Sequence, residues 1–147
     1  MKSIDILKSI LQWQQAAKPT PTIEDACVAI GCHYEEVGEM AEALYDTELL
    51  DEASTSAGRY KHKASHYLRA IEQLDEDTKI ELLDSICDQI TTAVGVAYML
   101  GMDIEGALDE VNKSNYSKFE DGKAVLDENG KIRKGKDYFP PDLTKFI

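Results

Sequence analysis

Of the 147 residues only three are cysteine, one is tryptophan and four are proline, and 16 Lys and Arg face 28 Asp and Glu. Each shortage narrows the function. Cys27, Cys32 and Cys87 are odd in number, lie in helical stretches and show no CxxC spacing. They read as free buried thiols in a reducing cytoplasm, not as a disulfide scaffold. The deficit of positive charge, a formal −12, argues against a nucleic-acid backbone or an anionic membrane as the main partner. An acidic chain can still bind a polyphosphate if divalent cations stand between the two. The longest nearly apolar run, Ala93 to Met102, is too short to span a bilayer, and Met1 leads into a charged amphipathic segment and not a signal peptide. A Gly-rich phosphate loop and a GxSxG elbow are missing, so covalent catalysis through Ser or Cys has no support. Internal repeats and low-complexity segments are missing too. What remains is 43% hydrophobic, enough for one soluble intracellular domain over 1–147, with 119–147 as an irregular tail.

The pattern is helical. Ile4, Leu7, Ile10, Leu11 and Gln14 recur at helical spacing over 3–17, and Lys18-Pro19-Thr20-Pro21 stops that helix. Thr22 is a cap for a second helix, with Glu24 and Asp25 in its first turn. This helix is predicted to run to about Leu50 with Val28, Val37, Met40 and Leu44 buried. Residues 51–58 are small and polar and read as a loop. Helical character returns through Tyr60, Tyr67, Leu68, Ile71 and Leu74. Asp77 is predicted to cap a helix over 78–100 that is apolar around most of its circumference, the mark of a helix buried in a bundle or at a subunit interface. Gly101 ends it, and Asp103 caps a helix to about Lys118. Asp121-Gly122 and Asn129-Gly130 then predict a small hairpin. The fold class is therefore all-α, four to five helices with a short hairpin or extended tail.

Two acidic clusters fall inside these helices. Glu35, Glu36 and Glu39 lie three or four apart, as do Asp84 and Asp88, so each set shares a helix face. If the two helices pack together, about four carboxylates surround one cavity. Left alone they repel; magnesium resolves this, since it takes oxygen ligands at ~2.0–2.1 Å and keeps substrate phosphates as partners. Glu36, Glu39, Asp84 and Asp88 are the candidate metal ligands, and manganese is an alternative ion. Glu35 is left to activate a water for attack on phosphorus. An isolated EExxE is commonly a solvated face; Asp84 and Asp88 stand out because short acids inside an apolar helix are costly without a partner.

Elsewhere, Trp13 beside Gln14 offers a stacking ring next to an amide able to read a pyrimidine edge, against the blander placement of a Trp in the core. Val111, Asn115 and Lys118 form a stripe whose amide and ammonium suit sugar hydroxyls and phosphate; a Lys at a helix C-terminus is also favoured by the dipole. Lys134 and Lys136 form a basic patch able to meet a triphosphate or only to pair with surface acids. His62 and His66 are four apart, but no Cys or Asp at recognisable spacing completes a zinc site.

From Glu35 onward the chain resembles the all-α nucleotide pyrophosphohydrolases, the MazG-like superfamily. Glu35-Glu36-x-x-Glu39 fits the first motif. The second, usually EExxD, here reads Asp84-Ser85-Ile86-Cys87-Asp88. Asp88 matches the final Asp, while Ser85 stands where the glutamate ligand is usual, so Asp84 or Glu81 takes its place. The segment between the motifs is longer than is usual in the family. Residues 110–118, Asp121-Gly122-Lys123 and Lys134-Gly135-Lys136-Asp137-Tyr138-Phe139-Pro140-Pro141 are similar to the nucleotide-contacting helix end and tail of this group. The resemblance implies a magnesium-dependent enzyme that cleaves a nucleoside triphosphate to monophosphate and pyrophosphate, a cytoplasmic homodimer or homotetramer. A relative of phosphoribosyl-ATP pyrophosphohydrolase and a non-catalytic acidic helical interaction module are the competing readings.

Overall fold

The computed structural model describes residues 3–147, with side chains from Asp5 onward; the expected stripe member Ile4 lies outside the described side chains. The described residues form six α-helices and one short 3-10 turn: α1 Ser3–Ala17, α2 Ile23–Ala43, α3 Thr47–Lys61, α4 Ser65–Glu72, α5 Glu76–Met99, α6 Ile104–Tyr116 and the turn Thr144–Phe146. No helix among them is long and apolar enough to cross a membrane. The chain divides into two compact units. The first takes the N-terminal segment through Pro19, Asp75–Val125 and Ile132–Ile147; the second takes Thr20–Leu74 and Leu126–Lys131.

Helix ends follow the local chemistry. Thr22 caps α2 in a reciprocal box with Asp25: Asp25 N donates to Thr22 Oγ1 at 3.2 Å and Thr22 N to Asp25 Oδ2 at 3.0 Å. Asp103 caps α6 through Gly106 N, and Gly101 takes the left-handed backbone, φ +74°, that stops the preceding helix. α5 starts two residues earlier than its pattern predicts, because Asp75 and not Asp77 reaches a free amide, that of Thr78, at 2.8 Å.

The second unit departs further from expectation. The helix predicted to reach Leu50 ends at Ala43, where Tyr45 turns the chain at φ +60°, and Asp46 caps a new helix through Leu49 N. The predicted loop 51–58 lies inside α3. Its small polar residues are helical because Ala53 and Ala57 are buried against α2. Tertiary packing here overrides weak local preference. α2 answers with its own small residues: Cys27, Val28, Gly31, Gly38 and Ala41 are buried, whereas the expected Met40 and Leu44 are exposed and Val37 is half-buried. The two helices thus approach through a small-residue face. A Cβ on Gly31 would stand 2.7 Å from Lys61 Cγ and 2.8 Å from the Ala57 carbonyl oxygen. Gly31→Ala should therefore cost about 1–3 kcal/mol in chemical denaturation. Gly58→Ala, with nothing within 4 Å of the added methyl, should stabilise the same helix pair by about 0.5–1 kcal/mol. Equal effects from the two would refute the close approach. A break at 62–64, with Lys63 at φ +54°, separates α3 from α4. His62 and His66 consequently do not share a helix face; the His66 ring instead lies tilted against that of Tyr67, centroids 3.9 Å apart.

In the first unit α1 packs on α6. Trp13 is 8% exposed, its indole N–H donates to the Asn115 carbonyl at 2.9 Å, and its ring stacks on Phe119 at 5.5 Å. α5 packs against α6, yet Ala97 is its only buried residue. The tail contains no strand among the described residues. Of the predicted hairpin the turn and two bonds between its arms are present, Asp127 N donating to the Lys131 carbonyl at 2.8 Å and Arg133 N to the Val125 carbonyl at 2.6 Å around Gly130 at φ +80°, without forming strands; an isolated Glu120–Lys123 bridge closes a second tight turn.

Candidate functional site

α2 presents the first acidic cluster in the second unit, and α5 presents the other in the first unit. Asp84 and Asp88 sit four apart on α5, and both are exposed. This corrects the expectation that they are acids trapped in a buried helix. Leu83 and Ile90, expected inside a bundle or at a subunit interface, are 62% and 52% exposed in the single chain, so desolvation within one chain does not single these two carboxylates out. Cys87, also expected buried, is exposed, Cys32 is half-buried and only Cys27 is fully enclosed.

Among the described residues the carboxylates of Glu39, Asp84 and Asp88 accept no hydrogen bond and join no ion pair. The donor set is oxygen-only and anionic, the chemistry a hard divalent cation takes. Within each face it supplies two or three such groups at helical spacing. No group of three or more His, Cys, Asp or Glu side chains among the described residues is gathered closely enough to hold a metal ion. On α5, Glu81, Asp84 and Ser85 are all exposed, and Asp84 and Ser85 both lie about one turn from Asp88.

Glu35 is different. Its Oε2 accepts from Lys61 Nζ at 2.6 Å and from Lys131 Nζ at 2.9 Å. Lys61 closes α3 and Lys131 closes the Asp127–Lys131 turn, so three separate segments of the second unit meet at one carboxylate oxygen. Burial pushes the Glu35 carboxyl up, but the hydrogen bonds from Lys131 and Lys61 outweigh it and leave the group below its ordinary value. The same contact holds the Lys131 ammonium above its ordinary range. A carboxylate so held is a weaker base than the free group assigned to activating water. Neither lysine stands out in the sequence, because nothing in the spacing of 35, 61 and 131 announces a meeting. Burial also raises the Cys32 thiol, which lies in the field of both lysines, Glu35 and Glu36.

The substrate-contact candidates separate into two groups. Trp13 belongs to the core: its donor is spent on Asn115 and its ring face is covered by Phe119, so it is a clamp and not a base platform. Trp13→Ala should lower the stability of the first unit by about 3–5 kcal/mol in denaturant titration followed by far-ultraviolet circular dichroism. A loss below about 1 kcal/mol would return the ring to the surface. Gln14 is exposed. Asn115 and Lys118 are both half-buried, but α6 ends at Tyr116, so Lys118 lies in the following turn and off the expected helical stripe; the Asn115 backbone carbonyl is what receives Trp13. Lys134 stands over the Tyr138 ring at 4.8 Å.

The residues between, unremarked in the sequence, hold the tail. Ser114 Oγ donates to the Phe139 carbonyl at 2.8 Å and Phe139 N donates to Ser117 Oγ at 3.1 Å. Asn112, also buried, donates to Ser9 Oγ at 2.8 Å. The stretch 112–117 is thus the anchor of α1 and of the tail. Its polar character has a structural cause, since buried hydroxyls and amides are kept only where they are bonded.

Fold and faces together define an all-helical protein with two acidic helix faces in separate units. Compared with family models, curated proteins and solved structures, the chain finds no match.

Proposed function

We propose that the protein is a magnesium-dependent nucleoside triphosphate pyrophosphohydrolase that releases a nucleoside monophosphate and pyrophosphate. The observation that carries this reading is the pair of acidic helix faces whose carboxylates at Glu39, Asp84 and Asp88 are committed to no partner among the described residues. The resemblance of Glu35-Glu36-x-x-Glu39, Asp84-x-x-x-Asp88 and the 110–141 segment to the MazG-like enzymes supports it. Glu36, Glu39, Asp84 and Asp88 would hold the ion, or manganese in its place, and bound there it would neutralise phosphate charge and lower the pKa of a water.

The chain's own residues do the rest. Asn115 in the last turn of α6 and Lys118 in the turn that follows bind and orient the nucleotide, the amide toward sugar hydroxyls and the ammonium toward phosphate. Gln14 is a candidate contact to the base edge, and Lys134 a candidate contact to the triphosphate from the tail. Glu35 accepts the proton of the attacking water once its lysines are drawn away. Attack at the α-phosphorus forms the new P–O bond as the bond to the bridging oxygen breaks, and pyrophosphate leaves. A nucleotide panel with magnesium, scored for pyrophosphate against orthophosphate, tests this. Pyrophosphate release from at least one deoxynucleotide or ribonucleotide is expected; orthophosphate alone would overturn the reaction type. Activity on phosphoribosyl-ATP alone would instead select the histidine-synthesis relative. Inactivity on every nucleotide would favour the interaction module.

The exposed apolar length of α5 supports an assembly of two or four copies as part of the same proposal.

A further inference from the structure

Two ammonium groups converge on one carboxylate oxygen. Lys61 and Lys131 both reach Glu35 Oε2, at 2.6 and 2.9 Å, so their nitrogens are no farther apart than those two distances together. One carboxylate neutralises one of them. The second must otherwise be balanced by the neighbouring field, to which Glu36 contributes at the Cys32 thiol. The convergence is also built. The Lys61 stem crosses α2 at Gly31, one turn before Glu35, where any side chain would collide with it at 2.7 Å. Lys131 is presented by a turn whose ends are tied: Lys131 N donates to Asp127 Oδ1 at 2.9 Å and Asp127 N to the Lys131 carbonyl at 2.8 Å. Both ammoniums keep access to solvent, their side chains 22% and 42% exposed.

An arrangement of two cations around one anion answers an incoming polyphosphate by exchange. Phosphate oxygens offer the ammoniums several anionic acceptors in place of one, and charge-assisted bonds of this kind are the strong ones. The carboxylate that is given up is then left beside the phosphates and needs a cation. We infer that Glu35, Lys61 and Lys131 form an ion-exchange site for a metal-bound polyphosphate. Lys61 and Lys131 pass from the carboxylate to phosphate oxygens, and a divalent cation carried on the phosphates takes over the charge balance beside Glu35, which is left free to face a water. The choice of a metal-bound polyphosphate as occupant rests on the function proposed above. The consequence is mutual dependence: cation alone must compete with two lysines, polyphosphate alone must compete with Glu35, and only the two together load the site.

Calorimetric titration of the full chain with inorganic tripolyphosphate, in chelator or in magnesium, tests this. Magnesium should tighten tripolyphosphate binding at least about tenfold in the wild-type protein, a coupling within the ordinary range for linked ligands. Glu35→Gln should bind metal-free tripolyphosphate about tenfold more tightly than wild type and lose the magnesium effect. Lys61→Ala and Lys131→Ala should each weaken binding about tenfold in magnesium. The sign reversal in Glu35→Gln is what a purely structural ion pair would not produce. Wild-type affinity in Lys131→Ala, or weaker metal-free binding in Glu35→Gln, overturns the inference. Lys131 sits on a surface turn, so its variant, checked by melting temperature, remains informative if Lys61→Ala fails to fold. The two readings also fail separately. Nucleotide hydrolysis undiminished in both lysine variants would discard the exchange site and keep the enzyme. The predicted tripolyphosphate behaviour without hydrolysis of any nucleotide would do the reverse.

Discussion

Asp88→Asn should reduce pyrophosphate release by at least about a hundredfold while leaving the protein folded. The physical case for separating activity from stability is direct. Asp88 is exposed, its carboxylate has no protein partner among the described residues, and asparagine has the same shape, so the change should cost under about 0.5 kcal/mol. The amide offers a hard cation one neutral oxygen in place of an anionic pair. Loss of a group that merely orients a metal ligand already costs 10–100-fold as a rule of thumb, so loss of a ligand sets a floor of roughly that size. A second readout does not depend on turnover. With magnesium and a non-hydrolysable nucleotide at about a hundred times the dissociation constant, binding should add about 2.7 kcal/mol. That corresponds to a rise in melting temperature of roughly 5–10 °C in the wild-type chain and no rise in Asp88→Asn. Wild-type hydrolysis by Asp88→Asn would remove α5 from the metal site. Comparing Asp84→Asn with Glu81→Gln and Ser85→Ala then decides which neighbour partners Asp88. An anionic oxygen donor one turn from Asp88 favours the first as the damaging change.

Ile90→Arg in α5 should convert an assembly of copies to monomers. Ile80, Leu83, Cys87, Ile90, Val94 and Ala97 recur at alternating three- and four-residue steps along a 24-residue helix, about 36 Å long. That spacing lays them in one seam of the kind that pairs with another helix. Ile80, Leu83, Ile86, Ile90 and Val94 are each 45–62% exposed, so burying the remainder is worth on the order of 5 kcal/mol per copy. Asp84, Asp88, Thr91, Gly95 and Tyr98 form the adjacent stripe, so an assembly on the seam leaves the acids at its border. A guanidinium in the middle of such a seam costs several kcal/mol, more than a thousandfold in dissociation constant. Light scattering coupled to size exclusion at micromolar protein reads the result. A wild-type chain that is already monomeric at that concentration would show that the seam is not an oligomer interface.

Helix starts and stops were the most readable part of the chain, because they depend on groups a few residues apart. Thr22 with Asp25, Asp103 with Gly106 and the left-handed Gly101 are settled by local hydrogen bonding and backbone sterics. The spans of α1, α5 and α6 follow to within two or three residues. Where sequence reasoning failed, the deciding contact was distant. The serines, threonine and glycine of 51–58 are weak helix formers and make the segment read as a loop. The segment is helical in α3 because Ala57 meets Gly31 and Ala53 meets Gly38 across a close helix pair. A search for large hydrophobic residues misses a core made of small ones, which is why Met40 and Leu44 were placed inside and lie outside.

The acidic residues show the same division. That Glu35, Glu36 and Glu39 share one helix face, and Asp84 and Asp88 another, follows from 3.6 residues per turn and needs no structure. Their number and sign, in a chain of charge −12, also exclude much without coordinates. Only the tertiary structure distinguishes Glu35 from Glu39, since a lysine 26 positions away and another 96 positions away reach one carboxylate and not the other. Only the tertiary structure takes Trp13 out of the list of base contacts, because its partners Asn115 and Phe119 lie a hundred residues on. Local bonding and periodicity determine where helices form and which residues share a face. Which faces are buried, and which charges are already spoken for, depends on packing between segments that the linear order keeps far apart.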